Sequence, residues 1–185
     1  MIETLGRHKF ATNIGTCEIE WTEAGISRFR LPDASRATGA LKIGATDPND
    51  LPLYIAEALT LTRASLNGAR TDLSKLKLDL SYAPAFNRRV YDLVLTIPFG
   101  QTMTYGEVAR EVGAPGGAQA VGRAMADNKI PLIVPCHRVL AADGKMHGFS
   151  APGGVASKRK LLEIEGAIEP EPPTLFDFID GPTTR

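Results

Sequence analysis

The change of hydrophobic period near residue 82 constrains this chain most. Before it, apolar residues alternate; after it, they recur at helical spacing. Gly15-Thr-Cys-Glu-Ile-Glu-Trp21 has the period of a half-buried strand, Ala24-Gly25 supplies a turn, and Ile26-Ser-Arg-Phe-Arg-Leu31 continues as the partner strand. Residues 33–50 are rich in Gly, Ala, Asp and Asn and read as a loop. Leu51–Leu66 has helical spacing, with Leu53, Ile55, Leu59 and Leu61 as its expected buried face, and Asn67-Gly68 ends it. Leu76-Lys-Leu-Asp-Leu80 alternates again and is expected to return to the same sheet.

Beyond Ser81 the chain reads as short helices. Ala85–Ile97 is amphipathic and Pro98-Phe99-Gly100 closes it. Thr104-Tyr-Gly-Glu107 fits a capping box, opening a helix to about Glu111. Val112-Gly-Ala-Pro115 is a tight turn, and a second helix runs from about Gly117 to Ala126, making a helix-turn-helix candidate. Val155–Glu165 is the last helix, stopped by Gly166. These elements predict an α+β chain: a small N-terminal sheet-plus-helix domain over residues 1–82, a mainly helical domain over 83–168, and an acidic, Pro-rich tail over 169–185 that docks loosely at most.

Composition removes several classes of function. Lys+Arg and Asp+Glu both number 21, so the formal net charge is zero, and a nucleic-acid reading has to rest on local features. The first nine residues hold no apolar core of signal-peptide length, and no apolar run approaches the ~20 residues that span a bilayer, so the expectation is a soluble cytoplasmic protein without membrane contact. The two cysteines, Cys17 and Cys136, are expected to be reduced thiols. With three histidines (His8, His137 and His147), no CxxC pair and no HExxH, no metal site is expected.

The stretch Pro131-Leu-Ile-Val-Pro-Cys-His-Arg-Val139 carries the chemistry. An apolar run delivers Cys136 between Pro135 and His137, holding the chain rigid where a thiol emerges. An isolated cysteine is usually a buried structural residue. An adjacent imidazole that can withdraw the thiol proton shifts the balance towards a nucleophile. Side chains at i and i+1 diverge, so a bridging water fits the geometry better than direct contact, and a carboxylate is the natural group to orient the imidazole.

Several spaced motifs, in order, resemble the O6-alkylguanine-DNA alkyltransferases, or methylated-DNA–protein-cysteine methyltransferases. They are Thr104-Tyr105, Ala120-Val121-Gly122, Asn128, the Pro-Cys-His-Arg-Val block, the Gly-rich segment to Gly154, and Leu161-Leu162-Glu-Ile-Glu165-Gly166. The match spans roughly Ala85 to Ala167. The resemblance implies an RNase H-like N-terminal domain and a winged-helix-like alkyltransferase domain. It implies single-turnover DNA repair by a monomer, with no cofactor: the O6-alkyl group of guanine in double-stranded DNA passes irreversibly to Cys136. His137 would act through a water with Glu165 as its partner, Tyr105 would assist the departing guanine, and Asn128 would bridge backbone. Met125, Pro131 and Phe149 would shape the base site. The Val139 carbonyl and the Ser150 N–H would bond the base. Ala118, Gln119, Ala120, Gly122 and Arg123 on the second helix, with Thr104, would face DNA, the helix lying in the minor groove beside a flipped base. By local charge alone, Arg110, Arg123, Lys129, Arg138, Lys145, Lys158, Arg159 and Lys160 face six acids between Gln101 and Glu165, a modest surplus whose phosphate contacts would give sequence-independent, salt-sensitive affinity.

Three features depart from that family. Gln119 stands where most members carry an arginine that fills the flipped base's place, with Arg123 one turn along to compensate. Phe149 replaces a common tyrosine, and Ser150-Ala-Pro-Gly-Gly154 is longer than usual. Two rival readings follow: a lesion sensor that binds O6-alkylguanine without efficient transfer, and an unrelated cysteine hydrolase or redox protein. The latter leaves the helix-turn-helix unexplained. In the tail, Glu171-Pro-Pro-Thr-Leu175-Phe176 resembles peptides that dock on bacterial sliding clamps; a Leu175-Phe176 knot folded on its own domain is the plainer expectation.

Overall fold

The computed structural model describes residues 4–33, 51–146 and 148–170. Most of the loop expected at 33–50, His147, and the tail segment with Leu175 and Phe176 lie outside the described residues. The described chain is a mixed α/β fold with a small antiparallel sheet and five α-helices.

The sheet is a meander of β1 (Gly6–Thr12), β2 (Gly15–Thr22) and β3 (Gly25–Arg30), with β2 in the centre. On β2, Cys17, Ile19 and Trp21 enter the core while Glu18 and Glu20 lie on the other face. The register sets Arg30 opposite Glu18, and Arg28 and Arg7 opposite Glu20. The guanidinium groups close over both carboxylates, with Arg7–Glu20 at 2.7 Å, Arg28–Glu20 at 3.4 Å and a further Arg30–Glu18 contact. Alternation on β2 thus separates an apolar face from an ion-paired one.

α1 (Leu53–Leu66) packs on the sheet through Ile55, Ala58, Leu59, Thr62 and Leu66. Two expected core positions differ. Leu53, at the first turn, is 86% exposed, and Leu61 is only half-buried, because the buried face follows 55, 58, 59, 62 and 66. Asn13, in the β1–β2 turn, donates its side-chain N–H to the Leu66 carbonyl at 2.7 Å and ties the helix end to the sheet.

Residues 76–80 do not form a further strand. Leu78 makes one parallel bridge to Ile26, and the extended run ends there because the Asp79 carboxylate turns aside to accept from Thr22 Oγ1 (2.7 Å) and Ser81 N (3.0 Å). This crossing forces glycine at 25, where φ is +143° and a Cβ would lie 2.5 Å from the Lys77 carbonyl oxygen. Gly25→Ala is expected to cost about 1–3 kcal/mol from combined backbone strain and overlap. A urea melt should show a lower midpoint with unchanged slope.

The second half begins with α2 (Ala85–Leu95), whose Val90, Tyr91 and Val94 are buried. α3 (Tyr105–Glu111) and α4 (Ala118–Ala126) form the expected helix-turn-helix, burying Val108 and Ala109 of α3 and Val121, Ala124 and Met125 of α4. The capping box at α3 is complete: Thr104 Oγ1 accepts from Glu107 N (3.1 Å) and Glu107 accepts from Thr104 N (2.6 Å). α5 (Gly154–Ile164) closes the fold. Buried side chains of both halves make one continuous core.

Candidate active site

A two-residue parallel pairing positions the site. β4 (Met103–Thr104) runs beside β5 (Val139–Leu140). Because Thr104 caps α3 and Val139 follows the turn Cys136–Arg138, this pairing sets Tyr105 and Cys136 in the walls of one cavity. The run leading to the cysteine is strained: buried Leu132 has φ 73°, a left-handed conformation that costs a branched residue about 1–2 kcal/mol.

The cavity holds about 590 Å³, within the roughly 300–1,000 Å³ range of small-molecule sites. Cys136 lies in its wall with Phe149 and Ser150 from the loop before α5. α4 contributes Ala118, Gln119, Gly122 and Met125, and Tyr105 and Lys158 complete the lining. Pro131 lies elsewhere, in a neighbouring cleft with Arg28 and Lys129. Ala120 and Arg123 are exposed on α4, outside the cavity.

Behind the cysteine the charges are fully organised. The Glu165 carboxylate, at the end of α5, meets His137 Nε2 at 2.8 Å and accepts from Arg138 Nε and Nη2, both at 2.9 Å, and from Gly100 N at 3.2 Å. Arg138 also donates Nη1 to the Ile97 carbonyl at 2.6 Å. Burial pushes Glu165 up, but the hydrogen bonds from His137 and Arg138, with the positive charge of Arg138, outweigh it and hold the carboxyl at about 2. Gly100 (φ +78°) is required here because a Cβ would come 2.8 Å from the Glu165 backbone oxygen.

This arrangement fixes the imidazole. An ionised Glu165 only accepts, so His137 Nε2 carries the hydrogen and Nδ1 holds the lone pair. Burial drives the His137 pKa down, keeping it neutral and able to take a proton. Its Nδ1 is buried and has no hydrogen-bond partner among the described residues. Burial also raises the Cys136 thiol; a hydrogen bond from Asn128, the charge of Lys158, and the Cys136 and His137 backbone N–H groups act against that rise. Asn128 spans the loop as well, donating to the Val134 carbonyl and accepting from Ile130 N, both at 2.9 Å.

Two of the residues read as phosphate contacts are not on the surface. Arg138 is enclosed with Glu165, and Lys158 is buried in the cavity wall, donating Nζ to the Val139 carbonyl at 2.6 Å. The signal was in the sequence: Lys158, Leu161, Leu162 and Glu165 fall at i, i+3, i+4 and i+7, so both charges sit on the apolar face of α5. Phe149 faces the cavity, whereas Glu165 is enclosed by His137, Arg138 and Gly100.

Known proteins share this architecture. Residues 85–167 match the family model of the 6-O-methylguanine DNA methyltransferase DNA-binding domain. A methylated-DNA–protein-cysteine methyltransferase of Mycobacterium tuberculosis is 52% identical over 146 residues, covering 79% of this chain and 75% of that protein. One from Shigella flexneri is 37% identical over 151 residues, covering 81% and 82%. The crystal structure of M. tuberculosis OGT in complex with DNA superposes with a TM-score of 0.73 at 34% identity, covering 88% of this chain and 94% of that one. Sequence, fold and the cysteine-centred site converge, and the chain belongs to the methylated-DNA–protein-cysteine methyltransferase family.

Proposed function

We propose that this protein repairs DNA by direct reversal, moving the alkyl group from O6 of guanine to Sγ of Cys136 once per molecule. The observation that carries the reading is a cysteine in the wall of a mainly apolar, base-sized cavity, next in sequence to a neutral histidine whose lone-pair nitrogen has no partner among the described residues and whose other nitrogen is locked to an anionic glutamate.

In this reading a water between His137 Nδ1 and Sγ carries the thiol proton to the imidazole, leaving a thiolate. The thiolate attacks the alkyl carbon in line, the Sγ–C bond forms, and the C–O6 bond breaks with its electron pair going to guanine. The Tyr105 hydroxyl supplies the base with a proton and recovers one from solvent; His137 releases its own. The thioether is not readily hydrolysed, so the protein is consumed. The Val139 carbonyl keeps a second lone pair for the guanine amine, and the Ser150 N–H serves O6.

DNA is the partner, as in the M. tuberculosis complex. The exposed, small-residue face of α4, with Gln119 at the cavity and Ala120 and Arg123 outward, suits a helix docked in a minor groove beside a flipped nucleotide. We assign residues 1–82 to an RNase H-like supporting domain and 83–168 to a winged-helix-like domain. The lesion-sensor alternative gains no support, because the thiol and its base are both in place.

Mixing the protein with a duplex carrying one O6-methylguanine, then digesting the DNA to nucleosides, tests the reading. Restoration of one guanine per protein molecule is expected; duplex binding with the methylated base intact would make the protein a sensor. Tyr105→Phe should slow the single-turnover rate about 10²-fold, the effect of losing one positioned proton donor, with little change in duplex affinity.

A further inference from the structure

Lys129 lies between α4 and the run that leads to Cys136, and both of its backbone polar groups are held by residues that precede α2. Phe29 N of β3 donates to its carbonyl at 2.9 Å, and its own N–H donates to the Tyr82 hydroxyl at 3.2 Å. Its ammonium stands 4.6 Å from the centroid of the same Tyr82 ring. These bonds act on two consecutive peptide planes that meet at Asn128 and Lys129. The Asn128–Lys129 plane is gripped at its N–H by Tyr82. The Lys129–Ile130 plane is gripped at its carbonyl by Phe29 and at its N–H by Asn128 Oδ1, at 2.9 Å. The other end of the Asn128 amide donates to the Val134 carbonyl at 2.9 Å and hydrogen-bonds the Cys136 thiol. Because a peptide unit is rigid, fixing the plane after Asn128 removes its ψ freedom and sets how the residue sits. On the other side, buried Tyr91 of α2 donates its hydroxyl to the Ala124 carbonyl at 2.8 Å, in the last turn of α4, and Asn87 donates to Asp127 at 3.3 Å.

We propose that Tyr82 is a positioning residue for alkyl transfer: its hydroxyl sets the Asn128–Lys129 peptide and, through it, the Asn128 amide that bonds the Cys136 thiol. The proposal rests on Cys136 being the alkyl acceptor. Tyr82 lines the neighbouring cleft and not the base cavity, so it acts through the loop. Lys129 is exposed, and water can take the hydroxyl's place on its N–H. A water is not anchored to the first half of the chain, so the loss falls on geometry more than on stability. Reacting groups have to be held within about 0.5 Å of the productive arrangement. A displacement of about 1 Å costs about 10²-fold in rate.

The test uses Tyr82→Phe, which removes the hydroxyl and keeps the ring for the Lys129 ammonium. Three readouts are needed on the full chain: single-turnover methyl transfer, anisotropy of a labelled duplex, and Cys136 modification by iodoacetamide against pH without DNA, with the Cys17 peptide mapped separately. The transfer rate should fall about 10-fold while duplex affinity stays within about twofold. The Cys136 profile should move up by about half a unit to one unit, because a hydrogen bond to the thiolate lowers its pKa. The titratable groups around the thiol are His137 on its own turn, Lys158 on α5, Tyr105 on α3, Tyr91 on α2 and Tyr82 itself. Exchanging a neutral phenol for a phenyl ring changes no charge among them near neutral pH, so a moved profile reports the Asn128 bond. A rate or a thiol profile that stays unmoved, in a variant that melts like the wild type, overturns the proposal and leaves Tyr82 as a brace between the two halves. Equal losses of rate and duplex affinity also overturn it, by placing Tyr82 in DNA binding. Where Tyr82→Phe fails to fold, Tyr82→Trp, whose indole donates but cannot accept, takes its place with the same outcomes. A wild-type protein that transfers no methyl, while its thiol profile still follows residue 82, refutes the repair reading and not the positioning.

Discussion

A protein carrying Cys136→Ala is expected to restore no guanine from O6-methylguanine DNA, while binding the methylated duplex about as well as the wild type. The loss is total because no other thiol can substitute. Cys17 lies in the sheet core on β2, fully buried, and burial pushes its thiol up to about 11, with only a hydrogen bond to Thr12 acting against that. Among the described residues no imidazole or lysine charge acts on it, in contrast to Cys136, which has His137 next in sequence and Lys158 in the same cavity wall. Removing one sulfur from a cavity wall should lower stability by about 1 kcal/mol or less, so the variant folds. Nucleoside analysis of the recovered DNA reads transfer, and anisotropy of a labelled duplex reads binding. Guanine restored by Cys136→Ala would mean that another residue is the acceptor.

Arg138→Met should be the most destabilising of the substitutions considered, by about 3–5 kcal/mol, the usual result of removing one partner from a buried ion pair. The variant leaves Glu165 with two of its four hydrogen bonds, those from His137 and Gly100, and frees the Ile97 carbonyl. The effect has a pH signature. The Glu165 carboxyl is held at about 2, below its ordinary 4.5, so it contributes stability that is fully present above pH 4.5 and is lost as pH falls towards 2. Wild-type unfolding free energy, measured in urea at a series of pH values, should decline through that window. In Arg138→Met the carboxyl should titrate at higher pH, so the decline begins earlier. Equal acid limbs in the two proteins would remove Arg138 as the group that keeps Glu165 ionised.

The helices were legible because their signals are local. The Thr104–Glu107 capping box, the stop at Gly166 and the apolar face of α2 each depend on a few neighbours. β1 was not read as a strand because only Phe10 reaches the deep core, while Arg7, His8 and Lys9 hide the alternation. The β4–β5 pairing is two residues long and joins segments 36 positions apart, so no periodicity announces it. Residues 76–80 alternate like a strand, but one aspartate diverted to Thr22 ends the pairing. In the site, Cys136 and His137 are adjacent and visible at once. Arg138 and Lys158 read as surface charge because sequence gives a residue's type and only the helix face reveals its burial. Only the family resemblance puts Pro131 in the base site; the left-handed turn at Leu132 follows it directly, and Pro131 lines the neighbouring cleft.

Cys136 alone is expected to become alkylated, once per molecule. Intact mass after incubation with excess duplex carrying one O6-methylguanine, followed by peptide mapping, tests it most directly. The predicted result is a gain of one methyl group, saturating at one per molecule, with all of it on the peptide containing Cys136 and none on the peptide containing Cys17. An unchanged mass, a gain beyond one methyl, or a methyl on any other residue would contradict it.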